Sequence, residues 1–543
     1  MNQNIPTEPQ QPSNTPLSQR AHRPLMILVA LLALGMILLF LITSLRRLRY
    51  PFPLEQHEGA MALAVARVAH GLPLYAQPNF SFIPYMYSPA YFYVAGFVAK
   101  LFGPGLLALR LVSILSTLGC FAVIYTLVAT ETKNRLAALA GTGLYAAAYP
   151  ITQHWFDLGR VDSFYVLLVL LALLATRKLH PVLAALAWTL AFLAKQTIAP
   201  VALIVLCFDW KRPRRVLAGV GTFLLTSLGS ATWLNRSTHD WFSYYVFTVP
   251  LANSDLRLHP TAFFPSVNLF APFGVALVVI AAALLLTNVH WSGPRTRFYL
   301  LAGGSLLLLC WFLIAHAQAT FNTAMPLYAV LAVAFGVAFA RLLGWLRESS
   351  TASARAGMTL LLLAVCTQLA SQLYSPKLSV PSSNVRASQQ QFVDWLRLFP
   401  GDVWIPAHPY EAVLAGKLPH PDEAAIHDAL RPDQAAVNRP LLQQIQQAID
   451  TESPDAIVLD RAPSEEAANA PWLPANWRTL YPIVGIVPGS DVPNPFGPHP
   501  RYVALPCRTR NLAVVQTISI LSSTTASPCP ALPPAVPPEP HLR

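Results

Sequence analysis

Five short stretches place proton- and phosphate-handling side chains in otherwise apolar sequence. The first is Glu55-Gln56-His57-Glu58, ahead of a helix-like run over Gly59–His70. The second, from His154 through Asp157, Gly159 and Arg160 to Asp162, ends where an apolar run begins. The third, Lys195-Gln196-Thr197, separates two apolar runs. The fourth is the aromatic-rich loop Asn235–Pro265, with Arg257 and His259, and the fifth is His316–Asn322. A carboxylate can take the proton of a hydroxyl, and Arg or Lys can hold a phosphate by charge-assisted hydrogen bonds. Each group has a plainer alternative. Glu58 suits the cap of an amphipathic helix, Arg160 and Asp162 suit a structural ion pair, and Lys195 suits a snorkelling side chain. Their grouping separates the two readings, and it depends on the elements that carry them.

Those elements are membrane helices. Of 543 residues, 54% are hydrophobic and 11% charged, with a mean hydropathy of +0.45. Soluble domains carry about 25% charge, so an ordinary soluble enzyme is excluded. The formal charge of +12 is uneven: residues 1–375 hold 25 Lys/Arg against 10 Asp/Glu, and the remainder 12 against 15. No basic stretch interleaves with aromatics as a nucleic-acid groove requires. Residues 24–43 form an apolar run of spanning length, like an uncleaved signal anchor. Ten further runs follow at about 106–129, 136–153, 161–176, 181–194, 197–208, 216–234, 266–287, 298–316, 324–341 and 356–373. Residues 89–102 are too short and read as interfacial. No internal repeat is apparent.

With 11 alternating spans, Lys133/Arg135, Arg177/Lys178, Lys211–Arg215, Arg295/Arg297 and Arg341/Arg347/Arg355 share one side. The Lys/Arg bias makes that side cytoplasmic, with the N-terminus there. Arg46, Arg47 and Arg49 run against the bias. All five polar clusters then share the external face, where charges beside spans usually mark a function. We divide the chain into a disordered tail (1–19), a transmembrane domain (20–375), an external α/β domain (376–526) and a Pro-rich disordered end (527–543). Val403–Pro406, Ala456–Leu459 and Tyr502–Leu505 read as strands and Arg439–Asp450 as a helix. Cys507 and Cys529 can pair in an oxidising compartment.

The motifs Glu58-Gly59, Gly71-Leu72-Pro73-Leu74-Tyr75, Tyr87-Ser88-Pro89-Ala90-Tyr91, Leu101-Phe102-Gly103, Leu109-Arg110-Leu111-Val112-Ser113, Gly159-Arg160-Val161-Asp162 and Lys195-Gln196-Thr197, with the Asn322 segment, occur in that order. In this order they resemble the GT-C superfamily of integral-membrane glycosyltransferases, in its protein-mannosyltransferase-like and aminoarabinose-transferase-like branch, over roughly residues 50–340. The resemblance implies an all-α polytopic fold of about 11 transmembrane helices, with juxtamembrane helices in the first external loop. It also implies a polyprenyl-phosphate-linked sugar donor and an inverting transfer on the external face of a cell (inner) membrane.

By the Glu-Gly match the general base is Glu58, with Glu55 its competitor, since the adjacent Asp-Glu pair common in the family is replaced by Glu55-Gln56-His57-Glu58. Arg160 and Lys195 face the leaving phosphate, with Arg110, Arg257, His259 and Asn322 as further binding residues and Asp162 orienting them. The acceptor is a lipid, glycan or protein hydroxyl. No cofactor is specified by the residues, and a divalent metal ion is an open alternative for which Glu55, His57, Glu58 and Asp162 could supply ligands, Glu58 and Asp162 first. The rival reading is a transporter or flippase of lipid-linked intermediates, which would place its polar groups mid-span.

Overall fold

The computed structural model describes residues 17–178, 180–252, 270–289, 293–314, 321–349, 351–462, 465, 470–487, 490, 492 and 500–507. Arg257, His259 and Cys529 lie outside the described residues.

The chain is a polytopic helical bundle. Its apolar helices are α1 (Leu17–Leu48), α4 (Leu106–Thr132), α5 (Arg135–Ala147), α6 (Asp162–Lys178), α7 (Pro181–Ala194), α8 (Ala199–Leu206), α9 (Pro213–Ser237), α10 (Phe270–Leu286), α11 (Pro294–Ile314), α12 (Met325–Arg347) and α13 (Ala352–Ala370). All eleven coincide with runs read from the sequence. Six helices among the described residues are long and apolar enough to cross a membrane alone. Helices α6 and α7 are shorter, one starting at Asp162 and the other ending at Ala194 beside Lys195. Between α7 and α8 the chain leaves the helix at Lys195 and resumes where Pro200 occupies the first turn, a position at which its missing N–H costs nothing.

Helices α4, α5 and α12 form the bundle centre, with α1 packed on α5 and α13. Small residues let these backbones touch. A Cβ on Gly143 of α5 would stand 2.6 Å from Ala33 of α1, and one on Gly141 would stand 2.8 Å from the Ala332 carbonyl of α12. Helices α1 and α9 instead leave Leu31, Leu34, Leu38, Leu217, Leu225 and Trp233 exposed, as lipid-facing surfaces should.

The segment after α1 holds two shorter helices, α2 (Glu58–Ala69) and α3 (Ala90–Phe102). Helix α3 has 13 residues, buries Tyr91, Phe92 and Ala95, and exposes Tyr93, Phe97, Leu101 and Phe102. One apolar side facing protein and the other lipid is the pattern of an interfacial helix.

Beyond α13, helices α14 (Ser383–Leu396), α15 (Pro409–Leu414), α16 (Glu423–Leu430) and α17 (Ala435–Asp450) surround a four-stranded sheet. Its strands are β1 (Val403–Trp404), β2 (Ala456–Leu459), β3 (Ile483–Ile486) and β4 (Tyr502–Ala504), in spatial order β1-β2-β4-β3. β1 and β2 are parallel, with Val403 opposite Ala456, and the other pairs are antiparallel, with Val458 opposite Val503. Three strands match the sequence reading. Strand β3, in a short apolar run between prolines, was not anticipated. This domain sits on the α2 end of the bundle. The Tyr410 Cβ lies where a side chain on Gly59 would begin, and the Phe80 ring packs edge-on to Trp404 and against His420. Cys507 is disulfide-bonded, while Cys120, Cys207, Cys310 and Cys366 are free.

Candidate active site

Four ion pairs gather where α1, α4, α6 and α7 meet the loops on the α2 side of the bundle. Two are sealed. Glu58 and Arg110 both have 0% exposed side chains, with Arg110 Nη2 2.7 Å from Glu58 Oε2 and Nε 2.8 Å from Oε1. The Arg110 guanidinium also donates to the carbonyls of Arg47, Tyr50 and Phe52, which uses every N–H it has. Glu58 in turn accepts from the backbone N–H of Leu54 and of Gly159, each at 2.7 Å. Burial alone would raise the Glu58 carboxyl. Arg110 and the two N–H donors outweigh it, and the group lies below its ordinary range. The second sealed pair is Arg47 with Asp157, at 2.9 Å. Arg47 is one of the cations that broke the Lys/Arg bias. It turns inward to this partner and to the Ser379 carbonyl.

Gly159 explains part of the Gly-Arg-Val-Asp motif. A Cβ there would stand 2.8 Å from Leu109 Cβ and 3.0 Å from Glu58 Oε1. Only glycine lets the backbone come close enough to donate to Glu58 and still hand Arg160 to the other side. The turn that brings it holds Gln153 and His154 at positive φ, a conformation that non-glycine residues adopt when the surroundings enforce it.

The other two pairs are open. Arg160 Nη1 bonds Glu55 Oε2 at 2.9 Å, and the Glu55 side chain keeps 20% exposure. Glu55 Oε1 has no partner among the described residues. Arg160 also donates to the Tyr87 hydroxyl at 3.2 Å and lies over the Trp155 ring. Lys195 Nζ bonds Asp162 Oδ1 at 3.0 Å, and Asn322 Nδ2 donates to the same oxygen at 3.1 Å. The Lys195 ammonium stands 5.8 Å from the Tyr87 ring centroid, so Tyr87 links the two open pairs. Beside Lys195 and Asn322 is a hollow of about 10 Å³, walled by Tyr165 and Thr197 and by Leu306, Leu309 and Leu313 of α11.

Of the residues singled out in the sequence, Glu55, Arg160, Asp162, Lys195 and Asn322 come together at this opening. Glu58 and Arg110 lie behind it. Glu58 is engaged by Arg110 and two N–H groups, and Asp162 Oδ1 by Lys195 and Asn322. Among the described residues no three His, Cys, Asp or Glu side chains form a group able to hold a metal ion.

Sequence reasoning gave no role to Tyr87 or Gln196 and did not foresee that His57 would meet the soluble domain. Tyr87 sat within a quoted motif without a role. Gln196 ties the site together, donating to Met86 O and to Val246 O inside a π-turn over Tyr244–Thr248. His57 accepts or donates to Tyr85 at 3.3 Å and lies 3.7 Å from Asp422 of the soluble domain. Burial would lower the His57 imidazole, but Asp422 raises it above its usual value. A contact between residues so far apart leaves no local sequence signal.

Both the fold and one stretch of the sequence are similar to those of proteins of the kind that the motifs resemble. Residues 86–233, which carry Tyr87, Arg110, Arg160, Asp162 and Lys195, match the family model of dolichyl-phosphate-mannose-protein mannosyltransferase. Among solved structures, the chain is similar to ArnT from Cupriavidus metallidurans bound to undecaprenyl phosphate, with a TM-score of 0.57 and 14% identity over 89% of this chain and 98% of that one. The apo state of the same protein gives 0.55 and 15% identity over 87% and 98%. No curated protein sequence matches significantly.

Proposed function

We propose that the protein is a membrane glycosyltransferase that moves a hexosyl or pentosyl group from a polyprenyl-phosphate donor to a lipid, glycan or protein hydroxyl, with inversion. The observation that carries this reading is the two ion pairs joined through Tyr87: Arg160 with Glu55, whose Oε1 has no partner among the described residues, and Lys195 with Asp162. The phosphate of the donor rests on Lys195 and Asn322. Undecaprenyl phosphate bound to the similar ArnT structure supports a ligand of this class.

Glu55, not Glu58, is the general base in this mechanism. Its Oε1 takes the proton of the acceptor hydroxyl as that oxygen attacks the anomeric carbon, and Arg160 holds Oε2. The bond from carbon to phosphate oxygen breaks, and negative charge grows on the leaving phosphate. Cations placed in advance stabilise that charge without reorganising. Asp162 keeps Lys195 aimed, and Glu58 and Arg110 brace the backbone between Phe52 and Gly159. A cell-membrane location with this face outward, periplasmic or extracellular, follows from the Lys/Arg bias.

The test is transfer in nanodiscs with a polyprenyl-phosphate sugar, the sugar first identified by mass spectrometry of lipids and surface glycans in a deletion strain. Product of inverted anomeric configuration is expected. Retention of configuration, or no transfer from any lipid-linked sugar, would sink the mechanism. Cysteine labelling checks orientation: a probe outside the cell should reach a Cys at Gln390 and miss one at Arg214.

A further inference from the structure

The face of the bundle opposite the carboxylate cluster has a cavity of about 420 Å³ between α10, α11 and α12, beside the end of α4. This is within the range of about 300–1,000 Å³ typical of small-molecule sites. Its floor is apolar, made by Ile280 and Leu284 of α10, Leu300 of α11, and Ala334, Val337 and Ala338 of α12. The two alanines lie one turn apart, so the room is built by short side chains on one face of α12.

The mouth is charged. Glu131, Arg295 and Arg341 line it. Glu131 is buried and already committed, with Arg295 Nε at 2.8 Å and Arg177 Nε at 3.0 Å. Arg341 is half-buried and has no hydrogen-bond or ionic partner among the described residues. One carboxylate thus faces three guanidinium groups, leaving a surplus of positive charge over a hydrocarbon-lined hollow. Unpaired cations next to bilayer hydrocarbon are costly, and the reaction on the other face does not use this one.

We propose that this cavity binds an anionic phospholipid, with an acyl chain between α10, α11 and α12 and the phosphodiester on Arg341 and Arg295. Basic pockets between membrane helices on the Lys/Arg-rich side recognise such headgroups. The occupant is not the sugar donor, whose phosphate must reach Lys195 on the far face.

Native mass spectrometry of the full-length chain, released from nanodiscs with equal phosphatidylglycerol and phosphatidylcholine, tests it. The wild type should keep one phosphatidylglycerol and no phosphatidylcholine. Arg341→Gln should lower retention about tenfold or more, the factor carried by a charge-assisted hydrogen bond, and Arg341→Lys should largely restore it. Ala338→Leu, which fills the floor without touching charge, should lower retention as much. Equal retention of both lipids by the wild type overturns the proposal without reference to any variant. So does unchanged retention in Arg341→Gln and Ala338→Leu, or displacement of the bound lipid by polyprenyl phosphate.

Discussion

The two glutamates of the first loop have the same chemistry and opposite surroundings. Glu58 is sealed, with Arg110 and two N–H groups on its oxygens. Glu55 is 20% exposed, and its Oε1 has no partner among the described residues. The same contrast separates Arg47–Asp157 from Asp162–Lys195. A buried ion pair as fully hydrogen-bonded as Glu58–Arg110 fixes geometry, and breaking it by removing one partner costs about 3–5 kcal/mol. An exposed pair at an opening can exchange its partner for a ligand. Residue type therefore says little here until burial is known.

The largest expected effects fall on that contrast. Glu55→Gln should cost about 10²–10⁴-fold in turnover, with thermal stability and donor binding close to wild type. Glu58→Gln should instead lower stability by about 3–5 kcal/mol, seen as a reduced melting temperature and yield. Preserved turnover in Glu55→Gln, with a specific rate loss in well-folded Glu58→Gln, would return the base to Glu58. Gly159→Ala probes the wall between the two ranks. It should cost several-fold in turnover and about 1–3 kcal/mol in stability, because the new methyl meets Leu109 and Glu58 together.

Lys195→Ala sharpens the outer rank. Donor affinity should fall about tenfold or more, since a hydrogen bond to a charged group contributes about 1.5–3 kcal/mol. Equal donor affinity in wild type and variant, measured by titration calorimetry, would remove Lys195 from the phosphate site.

The smallest effect concerns pH and the soluble domain. His408 is buried between Asp460, at 3.0 Å, and Glu411, at 3.7 Å. Burial would lower its imidazole, but Asp460 and Glu411 outweigh it and raise it to about 9. Burial also pushes the Glu411 carboxyl up to about 7. Both folded values lie above the unfolded ones, so both groups stabilise most at low pH. Glu411 loses its contribution as pH rises towards about 7, and His408 as it rises from about 6.5 through about 9. The melting temperature should therefore fall between pH 6.5 and 9, and His408→Gln should flatten that slope. A slope unchanged in the variant would rule out His408 as its source.

Much of this was legible in sequence, for identifiable reasons. Apolar runs long enough to bury themselves in lipid announced the eleven apolar helices, and the Ser-Pro and Gly-Pro-Gly ends of 89–102 marked α3 as too short to cross. The motif residues Glu55, Arg160, Asp162, Lys195 and Asn322 do meet. What the sequence withheld was which acid is covered. Glu55 and Glu58 lie one helical turn apart, and their difference is made by Arg110 and Gly159, which only the fold brings near. Arg47 looked like a violation of charge bias because its partner, Asp157, lies four helices further along the chain. Tyr410 and Asp422 carry no signal in a tail that otherwise reads as a separate domain.

The docking of that tail has a consequence for biogenesis. Gln56 and Glu423, which touch across the interface, are 367 residues apart. Domains fold in the order they leave the ribosome, so the loop bearing Glu55 enters the membrane long before Tyr410 reaches Gly59 or Asp422 reaches His57. A chain still being made holds an uncovered reaction face. A domain made after the whole bundle completes that face, so the site is finished only once that domain has been synthesised and has docked.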